Sequence, residues 1–357
     1  MSEQYLGENL IFIISQPRSG STLLQRVLAG HPDIQTSAEP WIMLHPVYGM
    51  RKEGIQSEFG AVWTREAVTE FLENYTDGLE VYDDAIRAWA KVIYDNALKK
   101  TGGKIFIDKT PRYALIIPEL YRLFPRAKFV FLLRNPMAIL ASELSSHIQG
   151  NWKMLAVFRS DLLDAPKQII EGIELLGDDA IVLRYEEFVQ KPDEQTRLLC
   201  DKLGIVFQSG MVDYGTTPEI EGFMQDRVGV QNHTRPTGDS VSKWQRMLTD
   251  PQELHFAQSY LLYLGQELTE ALGYPFEDML DTLRGAAGRG RGHTAIYPWK
   301  LAIKMPHRWS TRETLQACYY RTKQDKGIVA AFFTTITTAL KMFGTAVAGL
   351  FGKGSDK

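Results

Sequence analysis

This 357-residue sequence predicts an α/β protein: a doubly wound parallel sheet flanked by helices, with a basic helical extension at the C-terminus. Three observations predict it. Four short apolar runs recur without polar alternation, each is trailed by a helical pattern, and the charge changes sign near residue 284. Unbroken β-branched runs of four to six residues suit strands covered on both faces, as parallel sheets require. Strands that alternate with helices argue against all-helical and all-β folds.

The runs are 10–15 (LIFIIS), 104–108 (KIFID), 128–133 (KFVFLL) and 180–183 (AIVL). Helical patterns follow at Thr22–Leu28, Tyr113–Phe124, Met137–His147 and Asp193–Leu203, the last opened by Pro192 and two acids. Between the first two runs, residues 42–100 are aromatic-rich and read as mostly helical; Glu253–Leu272 is a further helix. His31-Pro32-Asp33 suits a helix exit and reads as structural.

Composition narrows the function. Hydrophobic residues make up 44% and charged residues 23%, as in ordinary globular proteins. The net charge of −3 argues against a nucleic-acid partner. Cys200 and Cys318 are the only cysteines and stand in no ligand cluster, so neither a disulfide framework nor a zinc site is expected. A reducing, cytoplasmic setting fits them, and the first residues have no signal-peptide pattern. The mean hides a division, however. From Arg284 onward there are 13 Lys/Arg against three acids, and before it 27 against 40. The expected organisation is a nucleotide-binding domain over 1–283, a Gly/Arg linker over 284–293 and a basic tail over 294–357.

The loop after the first run, Ser15 to Thr22 (SQPRSGST), carries the strongest chemical signal. A small-residue loop between a strand and a helix N-terminus gathers backbone N–H groups and the helix dipole on an anion. Gly20 allows close approach, Ser21 and Thr22 add hydroxyls, and Arg18 adds charge. The loop is P-loop-like in placement but is not a Walker loop, because Ser21 stands where that motif needs Lys. The 134–136 segment (RNP) after the third run offers an Arg fork, and Ser142 lies one to two turns into the next helix.

These residues together resemble the PAPS-dependent sulfotransferases, and are closest to the bacterial and protein-tyrosine sulfotransferase-like branch. The resemblance runs from about residue 10 to 275. It implies that PAPS (3′-phosphoadenosine 5′-phosphosulfate) is the sulfuryl donor and that no metal takes part. Arg18, Ser19, Gly20, Ser21 and Thr22 are then the 5′-phosphosulfate loop, with Arg134 and Ser142 on the 3′-phosphate. The 184–186 segment (RYE) resembles the family segment whose Tyr, here Tyr185, lies near the adenine. The 240–244 segment (SVSKW) resembles the segment that closes over the nucleotide, which implies contacts from Ser242 and Lys243. Lys109, just past the second run, matches the family's catalytic Lys. Members acting on phenols and steroids carry a His two residues after that Lys; Pro111 stands there instead. The base implied is therefore Glu39, which lies 21 residues after Arg18, the spacing of the protein-tyrosine sulfotransferases. Pro40 leaves Glu39 on a loop near the sheet edge.

Two other readings stay open: a P-loop kinase using ATP and Mg²⁺, and a membrane-associated nucleotide-binding protein without turnover. The acceptor is an unidentified hydroxyl or amine on a small molecule, carbohydrate or lipid. The aromatics Trp41, Trp63, Tyr75, Tyr82, Trp89 and Tyr94 are expected to help line its pocket. In the tail, large apolar residues at 329, 332, 333, 336, 340, 343, 347 and 350 keep a 3.6-residue period. With the basic segment before it, this pattern suits membrane-surface contact through 294–351, peripheral on the inner face. Docking on the body or on a second copy is the alternative, and Lys341 with five threonines makes a span unfavourable.

Overall fold

The computed structural model describes residues 4–51, 59–216, 220, 233–248, 250–287, 315, 319 and 328–340. They fall in two units, one within Met1–Ala302 and one within Ile303–Lys357.

The first unit is built on a five-stranded sheet: β1 (Leu10–Ser15), β2 (Ile34–Thr36), β3 (Ile105–Lys109), β4 (Lys128–Leu133) and β5 (Ala180–Arg184). Every pairing is parallel and the order is β2-β3-β1-β4-β5. The expected fold class is thus observed, with one strand more than the four runs. Ile34–Thr36 is only three residues long and half-polar, too short for a periodic signal. It pairs at the edge of the sheet, outside β3.

Helices α1 (Ser21–Ala29), α2 (Leu44–Tyr48), α3 (Ala61–Tyr75) and α4 (Glu80–Thr101) come first. They are followed by α5 (Ile117–Leu123), α6 (Pro136–Glu143), α7 (Ala165–Leu176), α8 (Tyr185–Gln190) and α9 (Pro192–Leu203). Last come α10 (Lys243–Met247), α11 (Pro251–Ala271) and α12 (Phe276–Ala287). All six residues of β1 are buried, and its side chains alternate between two cores. Phe12 and Ile14 join Phe129, Phe131 and residues of α4, α5, α7 and α11; Ile11 and Ile13 join Val130, Leu132 and residues of α1, α8 and α9. Burial on both faces is why these strands read as continuous apolar runs.

Two expected helices differ in form. The pattern over Tyr113–Phe124 begins as a 3₁₀ turn, Pro111–Ile116, before α5. The pattern over Met137–His147 leaves α6 at Glu143 and continues as a π turn, Leu144–Ile148. A second π turn, Ser160–Asp164, leads into α7. Helix α12 buries Leu280 and Leu283 and carries on through Ala287, so Arg284–Ala287, read as the start of the linker, are helical. Residues 288–314 lie outside the described residues. In the second unit residues 328–340 are helical, and no helix of the described residues is long and apolar enough to cross a membrane.

Candidate active site

The carboxyl ends of β1, β3 and β4 meet at the middle of the sheet, where doubly wound folds open their sites. The loop from β1 to α1 is shaped by two left-handed residues, Arg18 (φ 67°) and Gly20 (φ 89°). Such turns aim successive amides into one concavity. No side chain caps the first turn of α1 and no acid lies in it, so its amides are free to meet an anion. Gly20 is required for a second reason. A Cβ there would fall 2.4 Å from Cε2 of Tyr185, whose ring lies against the glycine.

That ring links the loop to the far strands. Tyr185 opens α8 straight after β5, and the Arg134 guanidinium stacks on it with Cζ 4.3 Å from the ring centroid. Arg134, just past β4, donates from Nη1 to the Arg18 carbonyl at 2.7 Å and from Nη2 to the Ser240 carbonyl at 3.4 Å. The Tyr185 and Ser240 hydroxyls share a hydrogen bond of 2.6 Å. On α6, the Ser142 hydroxyl accepts from Arg18 Nε at 3.1 Å. Asn135 fixes the start of that helix by accepting from the amides of Met137 (2.8 Å) and Ala138 (3.3 Å), with Pro136 next in line.

Arg134 makes no ion pair within 4 Å among the described residues, and burial pushes its guanidinium below the ordinary arginine value. Its Nε and the Ser19 hydroxyl are buried without partners. Orphaned donors of this kind, on a cation and at the mouth of an anion loop, fit a phosphate-bearing ligand.

At the other end of the loop stands Lys109, the last residue of β3 and 2% exposed. Its Nζ donates to Glu39 Oε1 at 2.9 Å and to Thr22 Oγ1 at 3.5 Å. Glu39 lies on the loop after the edge strand β2, with 15% of its side chain exposed.

A second group of charges lies alongside. Arg112 donates to Asp161 Oδ2 at 2.8 Å, and the Asp161 carbonyl accepts from Gln16 Nε2 at 2.9 Å. Burial pushes the Asp161 carboxyl up to about 7 against the pull of Arg112, with Glu143 and Glu39 adding to the rise. On the π turn, His147 Nδ1 is 2.7 Å from Glu143 Oε2.

Of the residues singled out from the sequence, Arg18, Gly20, Thr22, Glu39, Lys109, Arg134, Ser142 and Tyr185 come together through these contacts, and Ser19 and Ser21 lie buried in the same loop. Ser242 and Lys243 do not join them: both are exposed where α10 begins, and Ser240 makes the contacts. Tyr94, expected at an acceptor pocket, is instead wholly buried in the core with its hydroxyl on Asp108 at 2.7 Å. Ser240, Gln16, Arg112, Asp108 and Asp161 were not singled out from the sequence, although Ser240 lies within the 240–244 segment, Gln16 within the 15–22 loop, and Asp108 and Arg112 within three residues of Lys109; Asp161 has no such signal.

An anion loop at a parallel sheet, with the buried Lys109 at one end, the half-buried Arg134 at the other and a carboxylate on Lys109, fits a site for a phosphate-bearing ligand. Comparison with known proteins specifies the class. The model of the sulfotransferase family matches residues 10–209. The chain is 29% identical to the nodulation protein NoeE of Sinorhizobium fredii, covering 81% of this chain and 71% of that one. It is 24% identical to a putative protein-tyrosine sulfotransferase of Caenorhabditis briggsae, covering 58% and 69%. Among solved structures, the sulfotransferase domain of the curacin biosynthetic pathway aligns at a TM-score of 0.46 and 22% identity, over 71% of this chain and 97% of that domain. The chain belongs to the sulfotransferase family and is a sulfotransferase; PAPS is the sulfuryl donor general to that family.

Proposed function

We propose that the two ends of the loop divide the work of sulfuryl transfer to a hydroxyl or amine. The observation that carries this reading is the chain Thr22–Lys109–Glu39, which sets a cation between the anion loop and a carboxylate. Bound PAPS supplies an activated sulfuryl group on a phosphate leaving group. Arg18, Ser19, Gly20, Ser21 and Thr22 would hold the 5′-phosphosulfate through amides and hydroxyls. Arg134 and Ser142 would hold the 3′-phosphate, and Tyr185 would face the adenine, with Ser242 and Lys243 reaching the nucleotide only if the 240–244 segment closes further.

Sulfuryl transfer makes the same demands as phosphoryl transfer: a loose in-line displacement that depends on positioning and on charge placed where it develops. Lys109 holds a positive charge beside Thr22 and would stabilise the bridging oxygen as it leaves. The Glu39 carboxylate takes the acceptor proton, and no group on the chain needs a metal for either task. Equal binding of PAP and its analogue lacking the 3′-phosphate would sink this assignment. Activity lost in excess chelator would favour the ATP–Mg²⁺ kinase reading.

The acceptor we propose is a carbohydrate or a lipid hydroxyl. Trp41, Trp63, Tyr75 and Trp89 on and before α3 and α4 keep exposed ring surface that suits either. Incubation with radiolabelled PAPS and a whole-cell extract, separated into glycan and lipid fractions, identifies the class by which fraction takes label. A buried Cys200, its thiol pushed up to about 11 by burial, behaves as an inert core thiol.

A second reading concerns the tail. Along the helix 328–340, Ile328, Val329, Phe332, Phe333, Ile336 and Leu340 are exposed. An apolar helix face beside a basic segment suits the surface of an anionic membrane. Flotation of the full chain with vesicles containing phosphatidylserine, but not with phosphatidylcholine alone, is the expected result. Absence from both favours docking or an oligomer contact.

A further inference from the structure

Glu39 and Trp41 share an unusual backbone. Both are non-glycine residues with positive φ, 32° and 55°, and they flank Pro40, whose own φ is fixed by its ring. Residues in this region persist only where their surroundings over-determine them. The turn is held by two hydrogen bonds to side-chain oxygens: the Trp41 amide donates to Thr110 Oγ1 at 3.4 Å, and the Met43 amide to the Tyr113 hydroxyl at 3.0 Å.

Both hydroxyls have the same partner on their other side. Thr110 Oγ1 donates to Asp108 Oδ1 at 3.0 Å, and the Tyr113 hydroxyl to Asp108 Oδ2 at 2.8 Å. Tyr94 donates to Oδ2 as well, at 2.7 Å, and Asp108 is wholly buried. A hydroxyl has one proton. When a carboxylate takes it, the oxygen is left with lone pairs only and must act as acceptor toward the amides. Asp108 and Lys109 are neighbours on β3, so their side chains leave opposite sides of the strand. One strand thus supplies the cation and the anchor of the loop that brings it a carboxylate.

We propose that Asp108 is a positioning residue for the transfer site. Acting through Thr110 and Tyr113, it polarises two hydroxyls that clamp the strained Glu39–Trp41 turn and so hold the Glu39 carboxylate on Lys109. This inference rests on Glu39 being the base. It differs from a purely structural role in one respect: loss of the clamp costs rate only while Glu39 can act.

The test combines Thr110→Val with Tyr113→Phe, in the native chain and in a Glu39→Gln background. Rate is read as label transfer from radiolabelled PAPS to the whole-cell acceptor extract, PAP affinity by calorimetry, and folding by thermal midpoint. In the native background the pair should lower the rate by about a hundredfold, the penalty of a misplaced catalytic group, with PAP affinity kept. In the Glu39→Gln background the same pair should cost less than about twofold, because coupled groups are not additive. Thr110→Ser, which keeps the hydroxyl, should restore most of the rate lost in Thr110→Val. Hydrogen exchange at the Trp41 and Met43 amides should quicken in the combined variant. Full rate in the folded combined variant, or the same fold-loss with and without Glu39, overturns the proposal. If the combined variant does not fold, Thr110→Val alone decides by the same comparison. Full rate in Glu39→Gln alone overturns the base assignment, and that result is separate from the two above.

Discussion

Lys109 Nζ lies 2.9 Å from Glu39 Oε1 although 70 residues separate the two in sequence. A cation 2% exposed is costly without a partner, and the pair offsets part of that cost while leaving the carboxylate 15% exposed. The same two side chains therefore keep each other in place and carry the proposed chemistry.

Glu39→Gln should lower turnover by about 10²–10⁴, the contribution typical of a general base, with PAP affinity unchanged. Calorimetry with PAP and a label-transfer assay together check it. A parallel loss of PAP affinity would mean that Glu39 shapes the nucleotide site instead.

Lys109→Ala should cost about 10²–10³ in rate, as expected when one donor to developing negative charge is removed. It should also free Glu39 from its partner. Single-turnover kinetics with saturating PAPS separates this from a binding defect.

Gly20→Ala should abolish PAP binding. The added methyl would meet the Tyr185 ring at 2.4 Å, and a φ of 89° strains any residue with a Cβ. The backbone term alone is on the order of 1–3 kcal/mol, so the thermal midpoint should fall as well. Normal PAP affinity in this variant would show that the ring can move away without consequence.

Arg134→Ala should erase the preference for PAP over the analogue lacking the 3′-phosphate. A charge-assisted contact of this kind contributes about 1.5–3 kcal/mol, so roughly a tenfold or greater loss in PAP affinity is expected against little change for the analogue. Competition binding of the two nucleotides to native and variant protein reads it directly.

Two buried carboxyls give the folded protein an opposite pH response to that of paired surface acids. Burial pushes Asp161 up to about 7 and Asp108 up to about 6, well above the ordinary aspartate range. Between those values and the unfolded value, the folded state holds protons that the unfolded chain releases. Their contribution to stability therefore rises as pH falls through about 7 and is flat at higher pH. Asp161→Asn removes one such group. The thermal midpoint of the native chain should gain on that of the variant as pH is lowered from about 8 to about 5. A constant difference across that range would place the Asp161 carboxyl in the ordinary range.

Much of this site could be read from the sequence because its main elements are local. SGST at a strand-to-helix turn, Arg134 ahead of Asn135-Pro136, and Lys109 at the end of an apolar run each depend on neighbours within a few residues. Periodicity and capping chemistry report on that range, which is why β1, β3, β4 and β5 were visible as covered strands. Ile34–Thr36 was not, since three residues hold no period and the strand exists only by pairing with β3.

What the sequence determined by itself is the covered parallel sheet, the anion loop and the residue types able to grip a phosphate. Tertiary structure decided which of them meet. It brought Tyr185 over Gly20, put Ser240 rather than Ser242 on Arg134, and buried Tyr94 against Asp108. It also turned Glu39 onto Lys109 through a strained loop anchored on a different strand. The physical reason is one of range. Propensity and pattern act over a turn or two of chain, whereas a buried charge or hydroxyl takes whichever distant partner the packed fold presents.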